Sequence, residues 1–267
     1  MASRISATWV KLKRSGQKAL IPFITAGFPL KQSTLCAIRT AADSGCDLIE
    51  IGVPFSDPLA DGPAIQHSSQ VALGNGINLE WIFEQVVLAR KDISVPILLM
   101  GYYNPFLQYG LKAFCRDAIS AGVDGVIIPD LPPDEAGDLM QAAASHKLSV
   151  VFLIAPTTTT GRVLEIARAS TDFCYCVSVT GVTGARSEFQ SRTETYLKRT
   201  RKLIKKPMVV GFGISKPAQI KRLGRFADGL VVGSALVPVL QQARSGSSLS
   251  QALSRALKPL VRAAHDA

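Results

Sequence analysis

Glu50 and Asp61 stand either side of a loop in the run Leu48-Ile-Glu-Ile-Gly-Val-Pro-Phe-Ser-Asp-Pro-Leu-Ala-Asp-Gly-Pro63. Leu48 to Ile51 reads as a short buried strand, so Glu50 puts a carboxyl where the chain should be oily, and ionising it there is costly. Such a residue is placed for chemistry rather than packing. Glycines supply the second signal. Gly211-Phe-Gly213-Ile-Ser215 and Gly233-Ser234 leave backbone N–H groups open to an anion, with Gly233-Ser234 expected to open a helix, which is the form of a phosphate cradle. Gly181-Val-Thr-Gly184 has a glycine at each end, as a segment that closes over a ligand requires.

These residues need strands to hold them. From Lys18 onward a short apolar run, a loop and an amphipathic stretch repeat. Strands are predicted at Ala19 to Thr25, Leu48 to Gly52, Pro96 to Met100, Gly125 to Ile128, Ser149 to Ile154, Phe173 to Ser178, Met208 to Gly211 and Gly229 to Gly233. Helices are predicted at Ser33 to Ser44, Leu79 to Asp92, Gly110 to Ala121, Glu135 to His146, Arg162 to Ser170, Thr193 to Lys205 and Lys216 to Leu223, with Leu249 to Ala264 as the last. Uniformly apolar short strands alternating with helices form a parallel sheet covered on its outer face. Eight such units are the content of a (β/α)8 TIM barrel, with an extra N-terminal helix, Ile5 to Gly16, able to plug its bottom. No linker divides the chain, so 1–267 reads as one barrel domain. Phe23, Glu50, Tyr102, Tyr175, Gly211, Gly213, Gly233 and Ser234 then converge at strand exits, on the face where barrels carry their sites.

Composition narrows the function classes. The chain of 267 residues is 47% hydrophobic and 19% charged, as a well-filled globular core requires. No apolar run reaches the roughly 18 residues of a membrane span and the N-terminus has no signal-peptide core, so a soluble, cytoplasmic protein is expected. Cys36, Cys46, Cys115, Cys174 and Cys176 lack paired metal-ligand spacing and lie in apolar segments, as reduced packing thiols do; no metal site is expected. His67 and His146 have no ligand partners at suitable spacing and read as surface or capping residues. The net charge is +10, yet its densest cluster, Lys198, Arg199, Arg201, Lys202, Lys205 and Lys206, has no interleaved aromatics and reads as a solvated helix face rather than a nucleic-acid site.

The motif around Glu50 and Asp61, Pro129-Asp-Leu-Pro132, Gly181-Val-Thr-Gly184, Gly211-Phe-Gly-Ile-Ser215 and Gly233-Ser234 together resemble the α subunit family of tryptophan synthase over nearly the whole chain. The resemblance implies a barrel lyase that cleaves indole-3-glycerol phosphate to indole and glyceraldehyde 3-phosphate. It implies an α2β2 complex whose β subunit holds pyridoxal phosphate and consumes the indole, this chain itself needing no cofactor. The family's acid-base glutamate falls on Glu50 and its indole-binding aspartate on Asp61. A single carboxyl can deliver a proton to indole C3 and take one from the glycerol hydroxyl if burial raises its pKa, while Asp61 accepts the indole N–H. Phe23, Tyr102 and Tyr175 fall around the indole. Gly184, Gly213, Gly233 and Ser234, with Gly211 beside them, fall at the phosphate, and Thr183 at a hydrogen bond to Asp61 on loop closure. Pro54, Asp57 and the stretch Pro129 to Pro133 would face the β subunit. The high charge, and Val179 at the start of loop six where some members carry arginine, depart from the family's pattern. Two rival readings stand beside this one: a stand-alone indole-glycerol-phosphate lyase, whose motifs would look the same, and a weakly catalytic allosteric activator of a β subunit, against which intact Glu50, Asp61 and Thr183 argue. A sugar-phosphate isomerase would lack the indole slot.

Overall fold

The structure, a computed structural model, describes residues 3–177, 186–211, 213–242 and 245–267, with backbone alone over 186–191. Among these residues the strands are β1 Ala19–Thr25, β2 Ile49–Gly52, β3 Ile97–Met100, β4 Gly125–Ile127, β5 Ser149–Val151 continuing as Leu153–Ile154, β6 Cys174–Val177, β7 Met208–Gly211 and β8 Gly229–Val232. All neighbours pair in parallel. The first part of β5 pairs with β4 and the second with β6, while β1 pairs with both β2 and β8, so the sheet closes into a (β/α)8 barrel. Strand five, expected unbroken, is interrupted at Phe152, where the pairing passes from one neighbour to the other.

The helices are α1 Arg4–Ser15, α2 Ser33–Asp43, α3 Pro63–Gly74, α4 Leu79–Ala89, α5 Tyr103–Tyr109, α6 Leu111–Ala121, α7 Gly137–His146, α8 Thr160–Ala169, α9 Arg186–Leu203, α10 Pro217–Leu223, α11 Val237–Gln241 and α12 Gly246–His265. Two of them, α3 and α5, go beyond the sequence expectation, while the short α11 follows the Gly233-Ser234 pair expected to open a helix. Helix α3 escapes a hydrophobic-periodicity search because the residues it buries are Ser68, Ser69 and Ala72. Its start is nonetheless written in the chain, since Gly62 caps it and Pro63 occupies the first turn, where a missing N–H is harmless.

Strand parity divides the core in two. Ile21, Leu48, Leu98, Ile127, Val151, Tyr175, Val209 and Val231 point into the barrel, while their neighbours face the surrounding helices. Ile5, Trp9 and Leu12, one face of α1, join the inner cluster, with Trp9 edge-on to Phe173 at 5.7 Å. The N-terminal helix therefore closes the barrel bottom.

That bottom is stapled at alternate strands. Asp47 Oδ2 accepts the Leu20 N–H (2.9 Å), Asp124 Oδ2 the Ile97 N–H (2.8 Å) and Asp228 Oδ2 the Met208 N–H (2.9 Å), while Thr171 Oγ1 takes the Val150 N–H (3.2 Å). Each of these four residues returns its own N–H to the carbonyl of the residue it caps. A basic side chain backs each aspartate: His265 at Asp47, Arg90 and Arg4 at Asp124, Arg201 at Asp228. The basic run on α9 is thus partly structural. Arg201 pairs with Asp228, Arg199 reaches the Pro156 and Thr158 carbonyls, Lys206 those of Ala167 and Ser170, and Lys198 lies over the Phe226 ring.

The thiols of Cys46, Cys115, Cys174 and Cys176 are buried, and burial pushes Cys115 up to about 11 and Cys176 up to about 12, the protonated state of packing residues. Cys36 differs from expectation in being half-exposed, in a polar seam with Ser250 (3.1 Å) and the Gly246 carbonyl. His67 is exposed beside Gln241, and His146 lies 2.9 Å from the Ala142 carbonyl. Among the described residues, no helix is long and apolar enough to cross a membrane.

Candidate active site

Strand β2 carries Glu50 opposite Phe23 of β1 and Leu98 of β3. Two residues from inward-facing Leu48, it has the parity that points into the barrel. It is completely buried, and neither carboxyl oxygen has a hydrogen-bond partner among the described residues. Burial alone pushes its pKa up to about 8. At neutral pH Glu50 therefore carries a proton.

Asp61 lies at the end of the loop between β2 and α3, and several contacts fix it. The Tyr102 hydroxyl accepts the Ala60 N–H (2.8 Å) and donates to Asp61 Oδ2 (3.3 Å), the Asp61 N–H reaches the Pro58 carbonyl (3.1 Å), and Gln66 Nε2 donates to the Asp61 carbonyl (2.9 Å). Partial burial raises the Asp61 pKa to about 6, with the tyrosine hydrogen bond opposing the rise. Two carboxyls in one mouth thus hold different states at pH 7: Glu50 neutral, Asp61 ionised.

Aromatic rings fill space that glycines leave. A Cβ on Gly52 would stand 2.4 Å from Phe23 Cζ, and one on Gly211 would stand 2.0 Å from the Tyr175 hydroxyl. The Tyr175 phenol is held well above its ordinary pKa by burial first and then by the charges of Glu50 and Asp61, so all three share one field. A pocket at this mouth is lined by Phe23, Gly52, Val53, Phe55, Ile65, Met100 and Tyr102, with Asp61, Thr25 and Ser69 as its polar side chains. Phe55, Ile65 and Met100 escaped the sequence reading, although Phe55 belongs to the very motif that signalled the site. The apolar wall and single carboxylate suit a flat aromatic ring with one N–H donor.

The glycines do not all serve alike. Gly213 is exposed with φ +75°, a left-handed conformation that only glycine adopts freely. Ser234 is exposed at the head of a single 3-10 turn, Ser234–Leu236, followed by the five-residue α11, rather than at the start of a long helix. A Cβ on Gly233 would lie 3.2 Å from Phe23 Cβ. Gly211 is buried on β7, where its missing side chain admits Tyr175. Gly211→Val should therefore lower stability by about 1–3 kcal/mol through overpacking, read as a fall in the urea midpoint. An unchanged midpoint would show that Tyr175 can move aside without cost. Thr183 and Gly184, with Gly181 and Val179, lie outside the described residues.

The family model described as tryptophan synthase alpha chain matches residues 9–264. The tryptophan synthase alpha chain of Roseiflexus sp. (strain RS-1) is 47% identical over 252 residues, covering 94% of this chain and 97% of that protein. The one from Geobacter sulfurreducens is 49% identical over 240 residues, covering 90% and 91%. Among solved structures, tryptophan synthase subunit alpha from Legionella pneumophila str. Paris superposes with a TM-score of 0.90 at 34% identity, covering 100% of both chains. A chain of Mycobacterium tuberculosis tryptophan synthase superposes with a TM-score of 0.88 at 34% identity, covering 99% of each. With its barrel, its buried acid and this likeness along almost its full length, the chain belongs to the tryptophan synthase alpha chain family.

Proposed function

We propose that Glu50 and Asp61 perform the reaction of this family, the cleavage of indole-3-glycerol phosphate to indole and glyceraldehyde 3-phosphate. The chain is a carbon–carbon lyase of tryptophan biosynthesis. The observation that carries the assignment of roles is a fully buried glutamic acid without a hydrogen-bond partner among the described residues, on the barrel face where the partly exposed Asp61 lies, burial raising the first pKa to about 8 and the second to about 6.

The indole ring lies in the slot edged by Phe23 and Tyr102, its N–H donated to the Asp61 carboxylate. The π electrons of the C2–C3 bond take the Glu50 proton at C3, leaving positive charge across C2 and nitrogen, opposite Asp61. Glu50, now a carboxylate, removes the proton from the hydroxyl on the adjoining carbon. The O–H pair becomes the carbonyl, the carbon–carbon bond breaks, and its electrons return to the ring as neutral indole. Glu50 ends protonated, as it began. Tyr175 packs beside the acid. Thr183, Gly184, Gly213, Gly233 and Ser234 are assigned to the phosphate end and its closing loop, and residues 1–267 act as one barrel domain.

Asp61→Asn keeps the shape and removes the charge facing the cationic ring. Its kcat should fall about 100-fold or more, the magnitude of losing one preorganised electrostatic partner. Full turnover by this variant would remove Asp61 from the mechanism.

The chain acts as the α subunit of tryptophan synthase, and its docking surface for the β subunit is assigned to the proline-stiffened Pro54 to Pro58 and Pro129 to Pro133 loops. Leu59, 92% exposed beside the first loop, and half-exposed Leu30 and Leu107 are apolar side chains that a partner would cover. The chain is assigned to the cytoplasm. Indole release from indole-3-glycerol phosphate, measured with and without a cognate β subunit, tests this reading. Acceleration and a larger species on size exclusion are expected. Fast cleavage by a monomer indifferent to every β subunit would make the chain a stand-alone lyase, and no cleavage in either condition would make it an activator only.

A further inference from the structure

Helix α3 turns two consecutive serines inward, and both hydroxyls are satisfied. Ser68 donates to the Ile65 carbonyl (2.9 Å) and lies 2.7 Å from Thr25 Oγ1, which pins the helix to the end of β1. Ser69 reaches back 14 residues along the chain to a single partner: its hydroxyl accepts the Phe55 N–H (2.8 Å) and donates to the Phe55 carbonyl (3.0 Å). One hydroxyl closing on both backbone groups of one residue fixes the backbone from which that residue's ring departs. The Phe55 ring stacks on Tyr102, centroids 5.2 Å apart and planes inclined by 27°. Tyr102 in turn holds Ala60 and the Asp61 carboxylate. A connected series of contacts therefore runs from α3 through Ser69, Phe55 and Tyr102 to Asp61. Between Phe55 and Asp61 the loop's other hydrogen bonds are mainly local, Ser56 with Asp57, the Leu59 N–H with the Asp57 carbonyl and the Asp61 N–H with the Pro58 carbonyl, besides Gln66 at the Pro58 and Asp61 carbonyls.

We propose that Ser69 is a positioning residue for the cleavage: its hydroxyl orients Phe55 so that the Phe55–Tyr102 stack holds the Asp61 carboxylate toward the indole nitrogen. The inference rests on the role given to Asp61 above. Ser69 itself touches neither Glu50 nor Asp61 in any hydrogen bond. The requirement is a group that donates and accepts at once. Threonine meets it and alanine, of nearly the same volume, does not.

The test measures kcat, KM, the pH profile and the melting temperature for Ser69→Ala, Ser69→Thr and Asp61→Asn, and for Ser69→Ala combined with Asp61→Asn. Ser69→Ala should lower kcat about tenfold with KM nearly unchanged, and should move the limb of the kcat profile near pH 6 that reports Asp61. Ser69→Thr should restore both. In the Asp61→Asn background, Ser69→Ala should lower kcat less than about twofold, because the group it positions is gone. Equal proportional losses in both backgrounds, or wild-type kcat in Ser69→Ala, would overturn the proposal while leaving Asp61 in its role. Full activity of Asp61→Asn alone would overturn both. Phe55→Leu supplies a second entrance if Ser69→Ala folds poorly: it breaks the stack and leaves the helix hydroxyl in place, so it should reproduce the kcat loss, and wild-type kcat would again overturn the proposal.

Discussion

Glu50→Gln should abolish indole release and at the same time raise stability in alkaline solution. The amide keeps the shape of the protonated acid and cannot transfer a proton, so kcat should fall by 100-fold or more, the lower range for a lost general acid-base. Substrate binding should survive, because neither the apolar slot nor the phosphate end is altered. The stability effect follows from linkage. The folded-state pKa of Glu50 is about 8, above the ordinary glutamate value of 4.5 that holds in the unfolded chain. Its contribution is therefore fully present below about pH 4.5 and is lost as pH rises through 8, since the unfolded chain ionises freely while the folded one must bury a charge. At 1.36 kcal/mol per pKa unit, the wild type stands about 5 kcal/mol lower at pH 9 than at pH 4 through this residue. Glutamine escapes that loss. Melting temperatures of the two proteins should nearly coincide at pH 5 and separate progressively toward pH 9, with the variant higher. A constant difference across that range would mean that Glu50 is not held neutral by burial, and with it the account of the proton donor would fall.

Asp124→Ala should cause the largest stability loss outside the site, about 3–5 kcal/mol, the cost of breaking a buried ion pair by removing one partner. The aspartate accepts Arg90 at 2.5 Å, Arg4 at 2.9 Å and the Ile97 N–H at 2.8 Å, and its side chain is 6% exposed. Its loss leaves the 11% exposed Arg90 guanidinium without a counter-ion, held only by the Gly122 and Val95 carbonyls, together with an unpaired strand N–H. Asp124→Asn keeps an acceptor for Ile97 and should lose less. Equilibrium urea denaturation measures both, and a loss below about 1 kcal/mol for alanine would mean that water repairs the staple. The specific activity of whatever remains folded should be unchanged, because this cluster closes the bottom of the barrel and the chemistry is at the mouth.

Much of this architecture is a local property of the chain. Short apolar runs alternating with amphipathic stretches determine eight strands and most of the helices, since burial on both faces of a parallel strand leaves its mark within a few neighbouring residues. Glu50 shows itself because a carboxyl in such a run is out of place, and the loop to Asp61 because prolines and glycines announce a rigid turn. Helix α3 stayed hidden for the converse reason: it buries serines and an alanine, so no apolar stripe marks it. Gly211 drew notice as an anion-binding glycine, and the fold adds what no local pattern shows, that its missing side chain admits the hydroxyl of Tyr175.

What the sequence by itself determined, then, is the barrel, and with it the two acids proposed for its chemistry. Tertiary structure alone decided which of those acids is protonated, for that depends on how completely the folded barrel removes each from water. It also decided the partners of the isolated polar residues, Asp124 with Arg90 and Ser69 with Phe55. A hydrophobic stripe repeats along an element and can be recognised within it. A single hydroxyl or carboxylate carries no period, and its partner is set only when distant segments are packed against each other.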